Sequence, residues 1–265
     1  MKMISKSHEA FVKQYRRQQH KIKACQIILF VSVLTLWETG TRNGWLNGFI
    51  FSSPGRILET AVNMARDGSL FYHIGITLLE TIGSFLLITV LSIAAAMILW
   101  WIPMLAKILE PFFVLLNSLP KSALAPILIV WLGNNMKTII ITAISIAVFG
   151  SIINLHTGFM EADEDQIKLI RILGGNKIHC LKYIIVPGSI PLIVSTMKVN
   201  IGLALVGVII GEFLAAKAGL GYLIIYGSQV FKLDWVMLSI FILCIIAMML
   251  YKILNVLEKY AEKNI

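Results

Sequence analysis

The sequence predicts an all-α protein that crosses a membrane about six times. Three observations carry that expectation. Of the 265 residues, 58% are hydrophobic and only 14% charged, where a soluble domain of this size carries about a quarter charged residues. The apolar residues gather in six runs, near 24–39, 74–102, 105–132, 137–156, 190–214 and 235–257, and about 20 apolar residues in helical form cross a bilayer. The lysines and arginines fall between those runs and favour alternate gaps, as orientation in a membrane requires.

The first element is a polar segment, 1–23, with Lys2, Lys6, Lys13, Arg16, Arg17, Lys21 and Lys23. This density of positive charge places it in the cytoplasm. The apolar run after it has no small-x-small cleavage site, so a cleavable signal peptide is not expected. Residues 24–265 form the membrane domain, with its core at about 70–257. Between the first two spans lies the longest external loop, 40–73. Within it "FSSPGRILETAVNMARDGSL" offers Ser53-Pro54 as the start of a short amphipathic helix lying on the membrane surface.

The third span holds Pro111, Pro120 and Pro126, so it is expected to kink or break, with its irregular parts facing protein or water. Lys121 in that span and Lys198 in the fifth are either charges along a pathway or side chains reaching back to the interface. Gly202, Gly207 and Gly211 read as helix-packing positions. The sixth span returns Lys252, Lys259 and Lys263 to the cytoplasm, so both termini lie inside. The opposite gaps hold only Arg42, Arg56, Arg66, Lys137, Lys217 and Lys232.

The connection between the fourth and fifth spans, 158–189, is the longest polar interruption on the cytoplasmic side. Glu161, Asp163, Glu164 and Asp165 gather where a helix would start, complementing the positive end of its dipole. Ile167, Ile170 and Leu173, with Leu169 and Ile172, follow at helical spacing and predict an apolar face. Gly174-Gly175-Asn176 stops that helix. A second short helix over 177–186 then ends at Pro187, which with Pro191 brackets the return to the membrane. Two short helices about a glycine hinge make a knob, larger than a plain connection needs.

Several functions are excluded on residue grounds. The formal net charge is +9, yet the basic residues form no stripe with interleaved aromatics, so nucleic acid is not an expected partner. Cys25, Cys180 and Cys244 have no paired spacing, and His8, His20, His73, His156 and His179 have no metal-ligand spacing. "GNNMKT" lacks the second glycine of a phosphate-binding loop. No Ser/His, His-Glu-x-x-His or paired-acid arrangement in the spans points to an intramembrane enzyme. An ion-driven secondary transporter stays open as the remoter alternative, because that class usually shows carboxylates near the midplane, whereas Glu80 and Glu212 read as lying near external ends.

The residues of the connection resemble a family signature. Gly174, nine residues, then Ile184-Ile185-Val186-Pro187 is similar to the signature loop of ABC-transporter permease subunits, Glu-Ala-Ala, three residues, Gly, nine residues, Ile-x-Leu-Pro. Lys168, Leu169 and Ile170 stand at the Glu-Ala-Ala positions and Val186 at the Leu. "LPKSALAPILIVWLGNNMKTI" resembles a stretch of the nitrate, sulfonate and taurine permeases through Pro120, Ala123, Leu124, Pro126, Trp131 and Gly133. "IIGEFLAAKAGLGYLI" resembles another through Glu212, Gly219, Leu220, Gly221, Tyr222, Leu223 and Ile224, and "SPGRIL" and Asp234 also fit. The resemblance runs from about residue 52 to the C-terminus.

It implies the fold shared by methionine and molybdate importer permeases, and the role of a non-catalytic membrane subunit in an ATP-driven importer. Implied partners are two ATP-binding cassette ATPase subunits, an extracytoplasmic substrate-binding protein and a second permease copy, with a homodimer the simpler symmetric solution, all within membrane lipid. No cofactor is implied. The connection would be the element that inserts into the ATPase, through Ile167, Ile170, Leu173, Gly174, Gly175, Ile184 and Pro187. Lys121, Lys198 and Glu212 are the candidates for a translocation pathway. At Glu212 a solvated helix end and a gate contact both remain open, and at Glu80, where the family more often has a basic residue, no role is assigned. The implied cargo is a sulfonate, taurine or nitrate-like anion, delivered to the external face of the inner membrane. A vitamin precursor, such as a pyrimidine or flavin compound, is the alternative.

Overall fold

The computed structural model describes residues 6–263, with side chains from 14 to 259. Lys2 lies outside the described residues, as do the side chains of Lys6, Lys13 and Lys263. Among the described residues there is no strand, and thirteen helices follow one another. They are α1 (Lys6–Arg42), α2 (Gly48–Phe51), α3 (Pro54–Arg66), α4 (Ser69–Trp101), α5 (Pro103–Ser118), α6 (Lys121–Leu132), α7 (Met136–Met160), α8 (Glu164–Ile172), α9 (Lys177–Cys180), α10 (Val186–Gly188), α11 (Ile190–Ala215), α12 (Leu220–Gln229) and α13 (Leu233–Lys263). A π turn, Leu181–Ile185, joins α9 to α10. Five helices are long and apolar enough to cross a bilayer, and α5 with α6 makes a sixth if the pair is one span.

The all-α expectation with about six spans is met, and the third span is broken as its prolines predict. α5 and α6 meet at 95°. The break comes at Leu119-Pro120, where Leu119 is extended at φ −63° and ψ 143°, because a following proline crowds the helical conformation. Pro111 and Pro126 lie inside α5 and α6 without ending them. With 16 and 12 residues, the halves reach only about 24 and 18 Å, so neither alone crosses a hydrocarbon core of about 30 Å.

α4, α7 and α11 pack on one another at the centre, with α5 and α6 against α7, and α12 and α13 against α11. Small residues let α7 and α11 close in. A Cβ on Gly207 would sit 2.5 Å from the Cα of Ala143, and one on Gly211 3.0 Å from the Cα of Ile139. Gly202 does not share that role. A Cβ there would meet nothing within 4 Å, because Gly202 lines an apolar groove of about 340 Å3 between α11 and α13. Two polar contacts join α7 to α11: Ser151 donates to Asn200 Oδ1, and Asn154 Nδ2 donates to Thr196 Oγ1 at 2.8 Å.

α1 stands apart. None of its best spanning window is buried, and its C-terminal end is fastened to the bundle. There Trp37 stacks on Phe241 at 6.2 Å, and Glu38 accepts the Gly55 N–H at 2.9 Å, at the start of α3. The helix is also continuous from Lys6, so the polar N-terminal segment and the first span form one rod. α3 starts where Ser53-Pro54 predicts. The Ser53 hydroxyl accepts the Arg56 N–H at 3.3 Å and Pro54 occupies the first turn, where its missing N–H costs nothing. Arg56 donates to Asp234 at 2.7 Å and Ser52 donates to the same carboxylate at 2.6 Å, which fastens this hairpin to α13. At the start of α4, hydrogen bonds from Ser69 hold the Asp67 carboxyl below its ordinary range.

Candidate functional site

The α7–α11 connection begins at Glu161 and ends at Ser189. Asp163 caps α8 by accepting the Asp165 N–H at 2.8 Å, and Glu164 and Asp165 occupy its first turn. Both acids reach Lys168, at 3.7 and 3.1 Å. The helix stops because Gly174 turns left-handed at φ +81°, a conformation that a Cβ disfavours. Gly175 is required for closeness instead: a Cβ there would lie 2.4 Å from Ile170 Cγ2 and 2.8 Å from the Ile170 carbonyl oxygen. Asn176 then caps α9, with its side chain accepting from Ile178 and His179 and the His179 ring accepting the Asn176 N–H in return.

The apolar residues of α8 do not share one face, contrary to the sequence expectation. Ile167 and Ile170 turn inward, with Ile184, onto a cluster of Ala96, Trp100, Leu155, Phe159, Cys180 and Ile185. Leu169, Ile172 and Leu173 turn outward and are 56%, 81% and 74% exposed. Ile178 and Tyr183 on the next turns are also exposed. The reason is spacing and the helix end: 167 and 170 lie on one stripe of α8, 169 and 172 on another, and Leu173 lies just past the last turn as its cap. The knob therefore has an anchored inner side and an apolar outer side flanked by Lys168, Arg171 and Lys182.

Lys177 fastens the knob to the end of α4. Its ammonium donates to the Trp101 carbonyl and lies 5.5 and 5.4 Å from the Trp100 and Trp101 ring centres, a cation at a helix C-terminus. The predicted second helix differs in form. It is α-helical only to Cys180, opens into the π turn, and continues through α10 almost directly into α11. Pro187 explains the π turn before it, since its ring nitrogen cannot donate to the carbonyl four residues back. Pro187 is exposed.

The three pathway candidates are not brought together. Lys121 opens α6 just past the break in the third span, donating to Asn117 Oδ1 at 3.0 Å and to the Ile146 carbonyl at 2.6 Å. Both acceptors are neutral oxygens, and Lys121 forms no ion pair among the described residues. Lys198 is engaged in an ion pair with Glu258 of α13, beside the Tyr251 ring, so it does not stand as a free charge. Glu212 lies fourteen residues further along α11 than Lys198, about 21 Å away.

Glu212 is not a solvated helix end. It is 1% exposed, and its carboxylate accepts the Thr77 hydroxyl at 2.7 Å and the Gly221 N–H at 2.5 Å. The Leu220 N–H donates to Thr77 Oγ1 at 2.8 Å and the Gly219 N–H to His73 Nδ1 at 3.0 Å. Side chains of α4 and α11 thus satisfy the first N–H groups of α12, which a helix leaves without internal partners. Glycines are needed at 219 and 221 because a Cβ at either would collide with the Glu212 carboxylate, at 2.2 and 2.7 Å. Sequence reading missed both α12 and this arrangement. The one signal was the "GLGYLI" run itself.

Comparison with known proteins follows this geometry. Residues 88–265 match the family described as "Binding-protein-dependent transport system inner membrane component". A probable ABC transporter permease protein of Haemophilus influenzae is 25% identical over 232 residues, 87% of this chain and 94% of the relative. A riboflavin transport system permease protein of Chloroflexus aurantiacus is 25% identical over 88% of this chain and 87% of its own length. A taurine transport system permease protein of Escherichia coli is 23% identical over 86% of this chain and 84% of its own. Among solved structures, an inward-facing form of the MetNI methionine ABC transporter is similar at TM-score 0.64 and 14% identity, covering 74% of this chain and 98% of that one.

Proposed function

The chain belongs to the family of binding-protein-dependent transport system inner membrane components, and from that premise we propose that it forms the pathway through which an ATP-driven importer takes up a small oxyanion. The protein is a multi-pass ABC importer permease. ATP hydrolysis resides on separate cassette subunits, two per transporter, and a substrate-binding protein delivers cargo to the face opposite the 158–189 connection. Two permease copies close the pathway, since one bundle leaves a side open to lipid.

The observation that supports this reading best is the outer side of the connection. Leu169, Ile172, Leu173 and Ile178 are exposed at the tip of a polar segment, clear of the apolar spans that lipid would cover. Exposed apolar groups ringed by charge mark a protein contact. The inner residues Ile167, Ile170 and Ile184 seat the knob on the ends of α4 and α7, and Gly174 and Gly175 set its shape. Motion of an ATPase cleft gripping the outer side would then pass through the seat into α7 and α11. Pull-down of the tagged chain from mild detergent tests this, with two cassette ATPase chains expected alongside it. Recovery of the chain without any ATPase rejects it.

Both termini and the connection are cytoplasmic in this account, with 1–23 as the N-terminal segment and 24–265 as the membrane domain. Cysteines at Asn47 and Asn176 in a chain otherwise free of cysteine report the orientation. A membrane-impermeant thiol reagent should label intact cells at Asn47 and not at Asn176, and the reverse pattern contradicts the topology.

For the cargo, Lys121 is the one pathway candidate that carries unneutralised positive charge, as an anion in a low-dielectric passage requires. Lys198 is neutralised by Glu258 and drops out. The taurine relative points the same way, while the riboflavin relative at similar identity favours the second reading, a heterocyclic vitamin precursor. Uptake of labelled taurine and of labelled riboflavin, each competed by the other, separates the two. Import of the heterocycle alone removes the anion reading.

A further inference from the structure

Beside Glu212 lies a second buried acid that the proposed transport function does not use. Glu80, on α4, is 2% exposed, and its carboxyl is in hydrogen-bond contact with the Glu212 carboxyl. Two carboxylates in contact, away from water, cannot both stand bare, so the pair needs a positive charge. Among the described residues neither acid has an ion-pair partner. Of the titratable neighbours, His73 accepts from Gly219 and stacks on Tyr222 at 6.1 Å, and Lys217, at the mouth of the cavity beside Glu80, is exposed and forms no ion pair with either acid.

The two acids also differ in what surrounds them. Both Glu212 oxygens are satisfied by Thr77 and Gly221, whereas Glu80 Oε2 is buried with no partner. Glu80 lines a cavity of about 190 Å3. Asn134 and Asn135 before α7 and Lys217 after α11 also line it, beside the apolar Ile76, Met136 and Ile139. With these polar groups among its walls the cavity is roomy enough for water. The unsatisfied oxygen, the unpaired acids and a cavity leading to them come together at one place.

We propose that Glu80 and Glu212 together bind one exchangeable monovalent cation, a proton or an alkali metal ion, admitted through this cavity. The bound charge fastens α4 to α11, and through Glu212 to the start of α12, at the end of the bundle opposite the α7–α11 connection. Removal of the cation sets two like charges against each other and loosens that end.

The full chain in lipid nanodiscs is melted over a pH series in choline chloride, sodium chloride and potassium chloride, as wild type and as Glu80→Gln. The amide keeps the shape and needs no bound charge. In choline chloride the wild-type melting temperature is expected to fall on going alkaline, relative to Glu80→Gln. If sodium or potassium restores it, the cation is the alkali ion; if neither does, it is the proton. Parallel wild-type and Glu80→Gln curves in every buffer overturn the proposal. Should Glu80→Gln fail to assemble, infrared spectra of wild type decide. In choline chloride a protonated-carboxyl carbonyl band, or a carboxylate band that shifts when sodium or potassium is added, supports the site. Carboxylate bands unaffected by either ion, with no protonated band, reject it.

Discussion

The two ends of the α7–α11 pair are built on opposite plans. At the Glu212 end, side chains from α4 and α11 turn inward to satisfy the first N–H groups of α12, and the polar groups there are buried. At the connection end, α8 is anchored by Ile167 and Ile170 while Leu169, Ile172 and Leu173 turn away from the protein. One end is closed by its own chain. The other offers apolar surface that the chain does not cover. The difference separates residues whose loss unfolds the protein from residues whose loss disconnects it from a partner.

The largest expected effect is at the closed end. Glu212→Ala strips the acceptor from the Thr77 hydroxyl and the Gly221 N–H inside the bundle, and each such loss costs about 1–3 kcal/mol. A melt of the purified chain should show a large drop, with less protein recovered from membranes. A melting temperature equal to wild type would mean that the α12 cap carries no stability.

At the seat of the knob the effect is smaller. Ile170→Ala removes half-buried methyl groups from the cluster around Trp100 and Phe159, and a cost of about 2 kcal/mol, at the low end for a buried isoleucine, is expected. The change should lower the melting temperature moderately and reduce uptake more than it reduces membrane level. Equal loss of both would reduce the seat to an ordinary piece of core.

Gly174→Val acts on backbone alone, since a Cβ at that position meets nothing within 4 Å. Left-handed backbone costs a residue with a Cβ roughly 1–2 kcal/mol, confined to the hinge. The variant should reach the membrane folded and lose transport, with ATPase association or transport-linked hydrolysis reduced. Full uptake would show that the hinge shape is not used. Lys198→Met, which removes the pair with Glu258 and the contact with the Tyr251 ring, should cost roughly 1 kcal/mol, above the usual surface pair because the pair is partly buried, and leave uptake near wild type. Strong loss of uptake there would restore Lys198 to the pathway.

How legible these ends were in the sequence follows from the range of their interactions. The connection is local. Its acidic start, its glycine stop and its inward isoleucines all lie within about a dozen residues, so period and capping rules found it, though only coordinates divided the apolar residues between seat and surface. Ser53-Pro54 and the break at Pro120 were legible for the same reason. The closed end depends on Thr77 meeting Glu212 across 135 positions and on Leu220 meeting Thr77 across 143, which no local pattern records. Glu212 therefore read as a helix end near water, and Lys198, whose partner is 60 positions away, read as a pathway charge. α12 was missed because a ten-residue helix between two longer ones gives no periodic signal of its own.

The comparison is tested most directly by loading charge onto the outer surface without touching the seat. Ile172 and Leu173 are 81% and 74% exposed, and exposed substitutions usually move stability by no more than about 0.5 kcal/mol. The measurement is the amount of cassette ATPase recovered with the tagged chain carrying Ile172→Asp and Leu173→Asp, at matched membrane level and with the melt recorded in parallel. An unchanged melting temperature with the ATPase lost is the predicted result. Wild-type recovery of the ATPase with the doubly substituted chain would contradict the assignment of this surface.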